Sequence, residues 1–167
     1  VLSDFPLTKI FFLVKWGAPQ TQGRRVRGMR VVRDGQFNPM ALQVPEGFTG
    51  RVETVRVIKP WGREEWIVFG QGFALKTLVI NRGARFSLQR HDEKEEAWVV
   101  LNGPVQVFVG PSPEELTEMT LYKDDVFILA PGTVHRVHAR DGVAILLEVS
   151  TPQLADVVRF EDDFGRI

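Results

Sequence analysis

Four residues in this 167-residue chain have the types and spacing to hold a metal ion. Gln89, His91 and Glu96 lie within Gly83–Gly103, and His135 ends the segment Pro131-Gly132-Thr133-Val134-His135. In an extended strand alternate side chains share a face, so Gln89 and His91 point one way while Leu88 and Arg90 point the other. Glu96 follows a turn expected at Asp92–Lys94 and returns alongside, and His135 follows a second tight turn. Two imidazoles, a carboxylate and an amide oxygen suit one divalent ion: zinc first, with manganese, iron, cobalt and nickel also fitting. A single His or Gln on a strand is more often a satisfied surface or core residue. The combination carries the reading, since the chain has three histidines and two of them sit here. The third, His138, is three residues after His135 and is expected on the opposite face.

The elements that must position these residues are strands. Period-two or compact apolar stretches run over 51–57, 64–69, 74–81, 85–91, 97–101, 105–109, 116–121, 126–129, 134–139 and 143–149. Turns are expected at Lys59-Pro60-Trp61-Gly62, Gly70–Gly72, Arg82-Gly83, Gly110–Pro113, Lys123–Asp125 and Arg140–Gly142, because Gly and Pro break regular structure. Asn102-Gly103 predicts a tight hairpin joining 97–101 to 105–109. Many short strands with few helical patterns indicate an all-β closed barrel or two-sheet jelly roll, whose interior can hold a small ligand. The expected division is an irregular N-terminal extension over 1–50, docked or partly disordered, and a barrel with a C-terminal tail over 51–167.

Composition narrows the function classes. Formal net charge is zero, with 21 basic and 21 acidic residues, which gives no overall argument for nucleic acid or an anionic membrane as partner, and neither is expected. Without cysteine there is neither a disulfide framework nor a thiolate site. The apolar run Ile10–Val14 is too short for a signal-peptide core or a membrane span, so a cytoplasmic location is expected. Residues 1–50 carry seven basic and three acidic residues, and five arginines fall between Arg24 and Arg33. No aromatic interleaves them, so a solvated extension is expected rather than a phosphate-binding arm, and residues 1–28 are expected to be dispensable for the fold. The sequence opens on Val, and Met29 or Met40 is the expected working start. The four tryptophans (Trp16, Trp61, Trp66, Trp98) read as packing residues, and Glu93, Lys94 and Glu95 as a solvated turn, with Lys94 beside the metal segment.

Gly83, Gln89, His91, Glu96 and Gly103 match the cupin motif G-x5-HxH-x4-E-x6-G, with Gln for the first His, and residues 131–135 match the core of the second motif. From Lys59 to Arg166 the chain resembles the cupin domain at the C-terminus of type II mannose-6-phosphate isomerases. The resemblance rests on KPWG (59–62), SLQRH (87–91), AWVVLNG (97–103), PGTVHRV (131–137) and VRFEDDFGR (158–166). It implies a double-stranded β-helix with metal ligands Gln89, His91, Glu96 and His135. It further implies that Lys59, Arg159 and Arg166 bind phosphate or sugar hydroxyls, a task that suits arginine's planar charged fork. The implied activity is aldose–ketose isomerisation of a sugar phosphate, in a homodimer, with Lys94 and Glu161 as candidates for the proton-transferring group. Two positions depart from the family's Arg-Ala-Glu-His-Trp: here it is Lys94-Glu95-Glu96-Ala97-Trp98, so Arg is Lys and His is Ala. The loss at Ala97 keeps open a non-catalytic domain that binds a sugar or other small metabolite. The two-His, one-carboxylate set keeps open a cupin dioxygenase. The tail is expected to turn back across the barrel mouth, anchored by Val158, Phe160 and Phe164, so that Arg159 and Arg166 face the pocket.

Overall fold

The computed structural model describes residues 29–70 and 72–167. The run Ile10–Val14, Trp16, Arg24, Arg25 and Arg27, and the expected dispensability of residues 1–28, lie outside them. Twelve strands and one short 3-10 helix (Pro39–Leu42) occur among the described residues. They are β1 (Arg30–Arg33), β2 (Val55–Lys59), β3 (Gly62–Phe69), β4 (Ala74–Ile80), β5 (Leu88–Arg90), β6 (Glu96–Asn102), β7 (Val105–Gly110), β8 (Thr117–Leu121), β9 (Val126–Leu129), β10 (Val134–His138), β11 (Ala144–Ser150) and β12 (Val158–Glu161). A seven-stranded sheet runs β1-β2-β3-β4-β11-β6-β9, and a five-stranded sheet runs β12-β5-β10-β7-β8. Together they form the expected all-β jelly-roll barrel. No helix in the described residues is long and apolar enough to cross a membrane.

Alternation decides what each sheet turns inward. In β4, Ala74, Lys76 and Leu78 are buried while Leu75 and Thr77 are half-buried. In β11, Ala144, Leu146, Glu148 and Ser150 are buried in the same phase. Antiparallel register lines these residues up across the sheet. One inward row reads Trp66–Lys76–Glu148–Trp98–Phe127, the next Leu78–Leu146–Val100, and a third Ala74–Ser150–Glu96–Leu129. The barrel interior is thereby split. Leu78, Ile80, Val100, Val105, Val107, Val137 and Leu146 form a dry core, where each fully buried aliphatic side chain contributes about 1.5–3 kcal/mol. The rows carrying Lys76, Glu148 and Glu96 make the other half polar.

Lys59 and Gly62 close the β2–β3 hairpin around Pro60 and Trp61. Gly62 has φ +149°, and a Cβ there would sit 2.1 Å from the carbonyl oxygen of Val79, so only glycine lets β4 pass this close.

Three expectations need correcting. Asn102-Gly103 does not make a hairpin: β6 pairs with β11 and β9, whereas β7 pairs with β10 and β8, so this turn carries the chain from one sheet to the other. Pro104 follows the glycine and has no N–H to close the two-residue loop, and Val100 instead bonds to the Asp124–Asp125 turn. The 85–91 stretch is a strand only over Leu88–Arg90, with Arg85 bridging His138. A strand forms at Arg30–Arg33, a stretch not read as a strand within the extension expected to be docked or partly disordered. β1 pairs in parallel with β2 at the sheet edge, and Val32, Phe37, Leu42 and Leu154 pack on a second core of Val55, Val57, Trp66, Phe69 and Ala74.

The tail does return to the barrel, by a different means from the one expected. β12 pairs antiparallel with β5, and its acidic residues clasp neighbouring arginines. Asp163 takes both ends of Arg85 at 2.7 Å, and Glu161 Oε2 lies 2.9 Å from Arg136 Nη1. Val158 and Phe164 remain exposed and Phe160 is half-buried with Arg90 over its ring, so backbone pairing and ion pairs do more than apolar burial to hold the segment.

Candidate metal centre and its cavity

Pairing of β12, β5, β10 and β7 creates a second inward row, Arg159–Gln89–His135–Val109. His91 follows β5 and Glu96 opens β6, so the loop 91–95 spans the two sheets at this end of the barrel. The four heads converge. Gln89 Nε2 is 3.5 Å from both His91 Nε2 and His135 Nε2. Glu96 reaches His91 Nε2 at 3.8 Å and His135 Nε2 at 3.7 Å. Ligand atoms of His91, Glu96 and His135 all lie within 4.8 Å of one another. Donors about 2.1 Å from a shared ion stand roughly 3.0–3.4 Å apart, so a small contraction closes the set. Ser87 Oγ holds the Gln89 amide from behind at 2.8 Å. Turning that amide over presents its oxygen to the centre and leaves Nε2 to donate to Ser87 Oγ.

The backs of both rings are fixed. His91 Nδ1 donates to the Asp156 carbonyl, and His135 Nδ1 donates to the Thr133 carbonyl at 2.9 Å. Each ring therefore turns the lone pair of Nε2 toward the centre, as a metal ligand requires. The Asp156 carboxylate meanwhile accepts from the backbone N–H of Asp92, Glu93 and Lys94 at 3.0, 2.6 and 2.8 Å. Those bonds, the one to Glu93 first, hold its pKa below the ordinary value. One residue thus fixes both a ring and the loop that delivers Glu96.

Protonation states favour a cation here. Burial and then Lys94 push His91 down to about 4, and burial lowers His135 as well, so both rings are neutral near pH 7. Burial works against the Glu96 carboxylate, but Lys94 overrides it and holds Glu96 at about 2. Neutral imidazoles and an ionised carboxylate are the forms that bind metal. The donor set, its tethered rings and its charge state fit a divalent ion.

The centre opens into a cavity of about 240 Å³. Of the residues singled out from sequence, Lys59, Gln89, His91, Lys94, Glu96, Arg159 and Arg166 line it. Lys94 is buried rather than solvated, and its Nζ pairs with Glu96 Oε1. Arg166 is bound by Asp162 through two side-chain nitrogens and its own N–H, with Gly165 at φ +68° making the bend that brings it round. Arg159 Nε has no protein partner. Glu161 is not brought to the cavity: its side chain is 60% exposed and tied to Arg136. Ala97 lies on the outer face opposite Ile128, so its missing imidazole would not have faced this cavity. His138 sits on the outer face beside Arg85, away from the centre.

The cavity also holds residues that spacing did not point to. Glu148 lies 3.1 Å from Lys76 Nζ and 3.9 Å from Lys94 Nζ. Burial and the nearby Glu96 charge push its pKa up to about 7. Burial opposes the Lys76 ammonium, yet Glu148 and Glu64 hold it above its usual range. A signal for these residues exists in the sequence, since Lys76 and Glu148 are charges set in the buried phase of alternating strands. Asp156 has no such signal, because its role comes from a contact more than sixty residues away along the chain.

Residues 50–165 match the family described as "Mannose-6-phosphate isomerase C-terminal". The chain is 33% identical over 115 residues to the xanthan biosynthesis protein XanB of Xanthomonas campestris pv. campestris, covering 66% of this chain and 24% of that protein. It is 31% identical over 124 residues to the alginate biosynthesis protein AlgA of Pseudomonas aeruginosa, covering 70% and 25%. It thus spans about a quarter of the length of these relatives. Among solved structures, the capsular polysaccharide assembling protein CapF of Staphylococcus aureus aligns with a TM-score of 0.59 at 12% identity, over 74% of this chain and 41% of that one. KdgF from Halomonas sp. aligns at 0.51 and 16%, over 59% and 86%. These two likenesses concern the fold.

Proposed function

The chain belongs to the mannose-6-phosphate isomerase C-terminal family, and from that membership we propose that it is a metal-dependent aldose–ketose isomerase acting on a sugar phosphate of the mannose 6-phosphate kind. The observation that supports this most is what one cavity brings together. Gln89, His91, Glu96 and Arg159 line it, His135 converges on the same centre, and Glu148, a buried carboxyl with a pKa near neutrality, lines it too, with Lys94 between it and Glu96. The bound metal, zinc before manganese, iron, cobalt or nickel, would polarise the carbonyl and its neighbouring hydroxyl. Glu148 takes the proton from the hydroxyl-bearing carbon to leave an enediol and returns it to the adjacent carbon, while the hydroxyl proton passes to the former carbonyl oxygen, so Glu148 ends in its starting state; a carboxyl near pKa 7 suits both directions. This assigns to Glu148 the role that sequence gave to Glu161. Lys94 holds Glu96 in place, and Arg159 and Arg166 bind the phosphate.

Purified chain of known metal content, supplied with mannose 6-phosphate, should form fructose 6-phosphate. Glu148→Gln should stop conversion while keeping the metal. Binding of sugar phosphates without conversion would leave a non-catalytic binding domain. Oxygen consumption with ferrous iron would favour the dioxygenase.

The outer face of the large sheet supports a homodimer. Ala97, Val99, Val126, Ile128, Leu147 and Val149 are neighbours there by register, and Val126 and Ile128 are more than 60% exposed. A contiguous apolar face on an edge strand is what a second copy would cover.

A further inference from the structure

Asp34, Gly35, Phe37 and Pro39 precede the family match, which begins at residue 50, yet all four line the cavity. The parallel pairing of β1 brings them there. Arg33 is in register with Ile58, and Asp34 N–H donates to the Ile58 carbonyl at 3.0 Å, so Asp34 emerges beside Lys59. A turn closed by Gln36 N–H on the Arg33 carbonyl, with Gly35 at φ +81°, then sets Phe37 against Trp66 at 5.0 Å. In this position Asp34 Oδ1 accepts from Lys59 Nζ at 2.7 Å and from Gly35 N–H at 3.1 Å.

The other cations of the cavity are already matched. Lys76 is held by Glu148 and Glu64, Lys94 by Glu96, and Arg166 by Asp162. Among the described lining residues, Arg159 alone has neither an ion-pair partner nor a bond to its Nε. Lys59 also has Glu64 Oε2 at 3.6 Å, but Lys76 shares that carboxylate, so Asp34 at 2.7 Å is the closer counter-charge that keeps Lys59 from serving as a second receptor for an anionic group.

We propose that Asp34 is a specificity-determining residue which the N-terminal segment adds to the family cavity. It competes for Lys59 with the anionic group of the ligand and so weakens preference for charged over neutral sugars. The inference rests on the reading of this cavity as a sugar-phosphate site. The pair lies at the rim, with Lys59 18% and Asp34 36% exposed, so the competition is modest and depends on salt. Asp34→Asn keeps an acceptor for Gly35 N–H and Lys59 while removing the charge.

The test compares binding of mannose 6-phosphate, mannose and inorganic phosphate by the full chain, by Asp34→Asn, and by Asp34→Asn combined with Lys59→Gln. In Asp34→Asn, mannose 6-phosphate and phosphate should bind about three- to fivefold more tightly, the size of a part-exposed ion pair. The salt dependence should steepen, mannose binding should stay unchanged, and Lys59→Gln should cancel the gain. The proposal is overturned if the gain is absent, if mannose gains equally, if the gain survives Lys59→Gln, or if no phosphate compound binds Asp34→Asn. Isomerisation by the parent with no gain in Asp34→Asn refutes only the role of Asp34. A gain without isomerisation refutes only the isomerase reading.

Discussion

Replacing Glu148 by Gln should flatten the pH dependence of stability between about pH 5 and 8.5. Glu148 is 3% exposed, and its carboxyl is raised from 4.5 to about 7. At about 1.4 kcal/mol per pKa unit, keeping it ionised in the fold costs about 3 kcal/mol. The folded state holds this proton more tightly than the unfolded chain. The group therefore costs nothing well below pH 4.5, destabilises progressively as pH rises toward 7, and exerts a constant penalty above. The penalty comes to about 1 kcal/mol at pH 5 and about 3 kcal/mol at pH 8.5. Glutamine carries no such term, and Lys76 keeps Glu64 at 3.6 Å, so any packing cost of the substitution is the same at every pH. Urea unfolding of parent and Glu148→Gln at the two pH values, with a chelator present to keep metal charge out of the comparison, should show the variant gaining about 2 kcal/mol on the parent as pH rises. Parallel stability curves would mean that Glu148 titrates as an ordinary carboxylate. The cavity would then lack the near-neutral acid that the proposed proton transfer uses.

Asp156→Ala should lower zinc or cobalt affinity about 10- to 100-fold in a metal titration, with Asp156→Asn between it and the parent. Amides 92–94 should lose hydrogen-exchange protection in Asp156→Ala even without metal. Arg159→Ala should weaken mannose 6-phosphate binding more than Arg166→Ala does, because Asp162 already neutralises Arg166; calorimetry on metal-loaded protein measures the ratio. If the outer apolar face is a dimer contact, Ile128→Lys should shift the chain to monomer by light scattering, with metal content unchanged.

The strands were legible wherever the buried phase is long and apolar, as in β4, β6 and β11, because period two leaves few other readings. Partnership was not legible. Asn102-Gly103 has the local chemistry of a hairpin, but the turn joins two sheets, and which sheet a strand enters is decided by what its inner side chains pack on. The four candidate ligands stood out because their types are scarce and their spacing short. Asp156, Thr133 and Ser87, which aim them, did not: Asp156 acts from more than sixty residues away, and although Thr133 and Ser87 act two residues away, Thr133 does so through a backbone carbonyl that its residue type does not announce. β1 escaped notice because Arg30–Arg33 carries a charge at each end, and its partner β2 lies more than twenty residues downstream.

The cavity draws its walls from widely separated parts of the chain, and synthesis supplies them in order. Asp34 and Phe37 come first, Gln89 to His135 follow, and Arg159 and Arg166 come after them. The segment before β12 carries all four candidate ligands and leaves an edge open on β5. Docking of β12 along β5 closes that edge and sets Arg159 beside Gln89 in a single event. One strand pairing thus completes the small sheet and the cavity wall together.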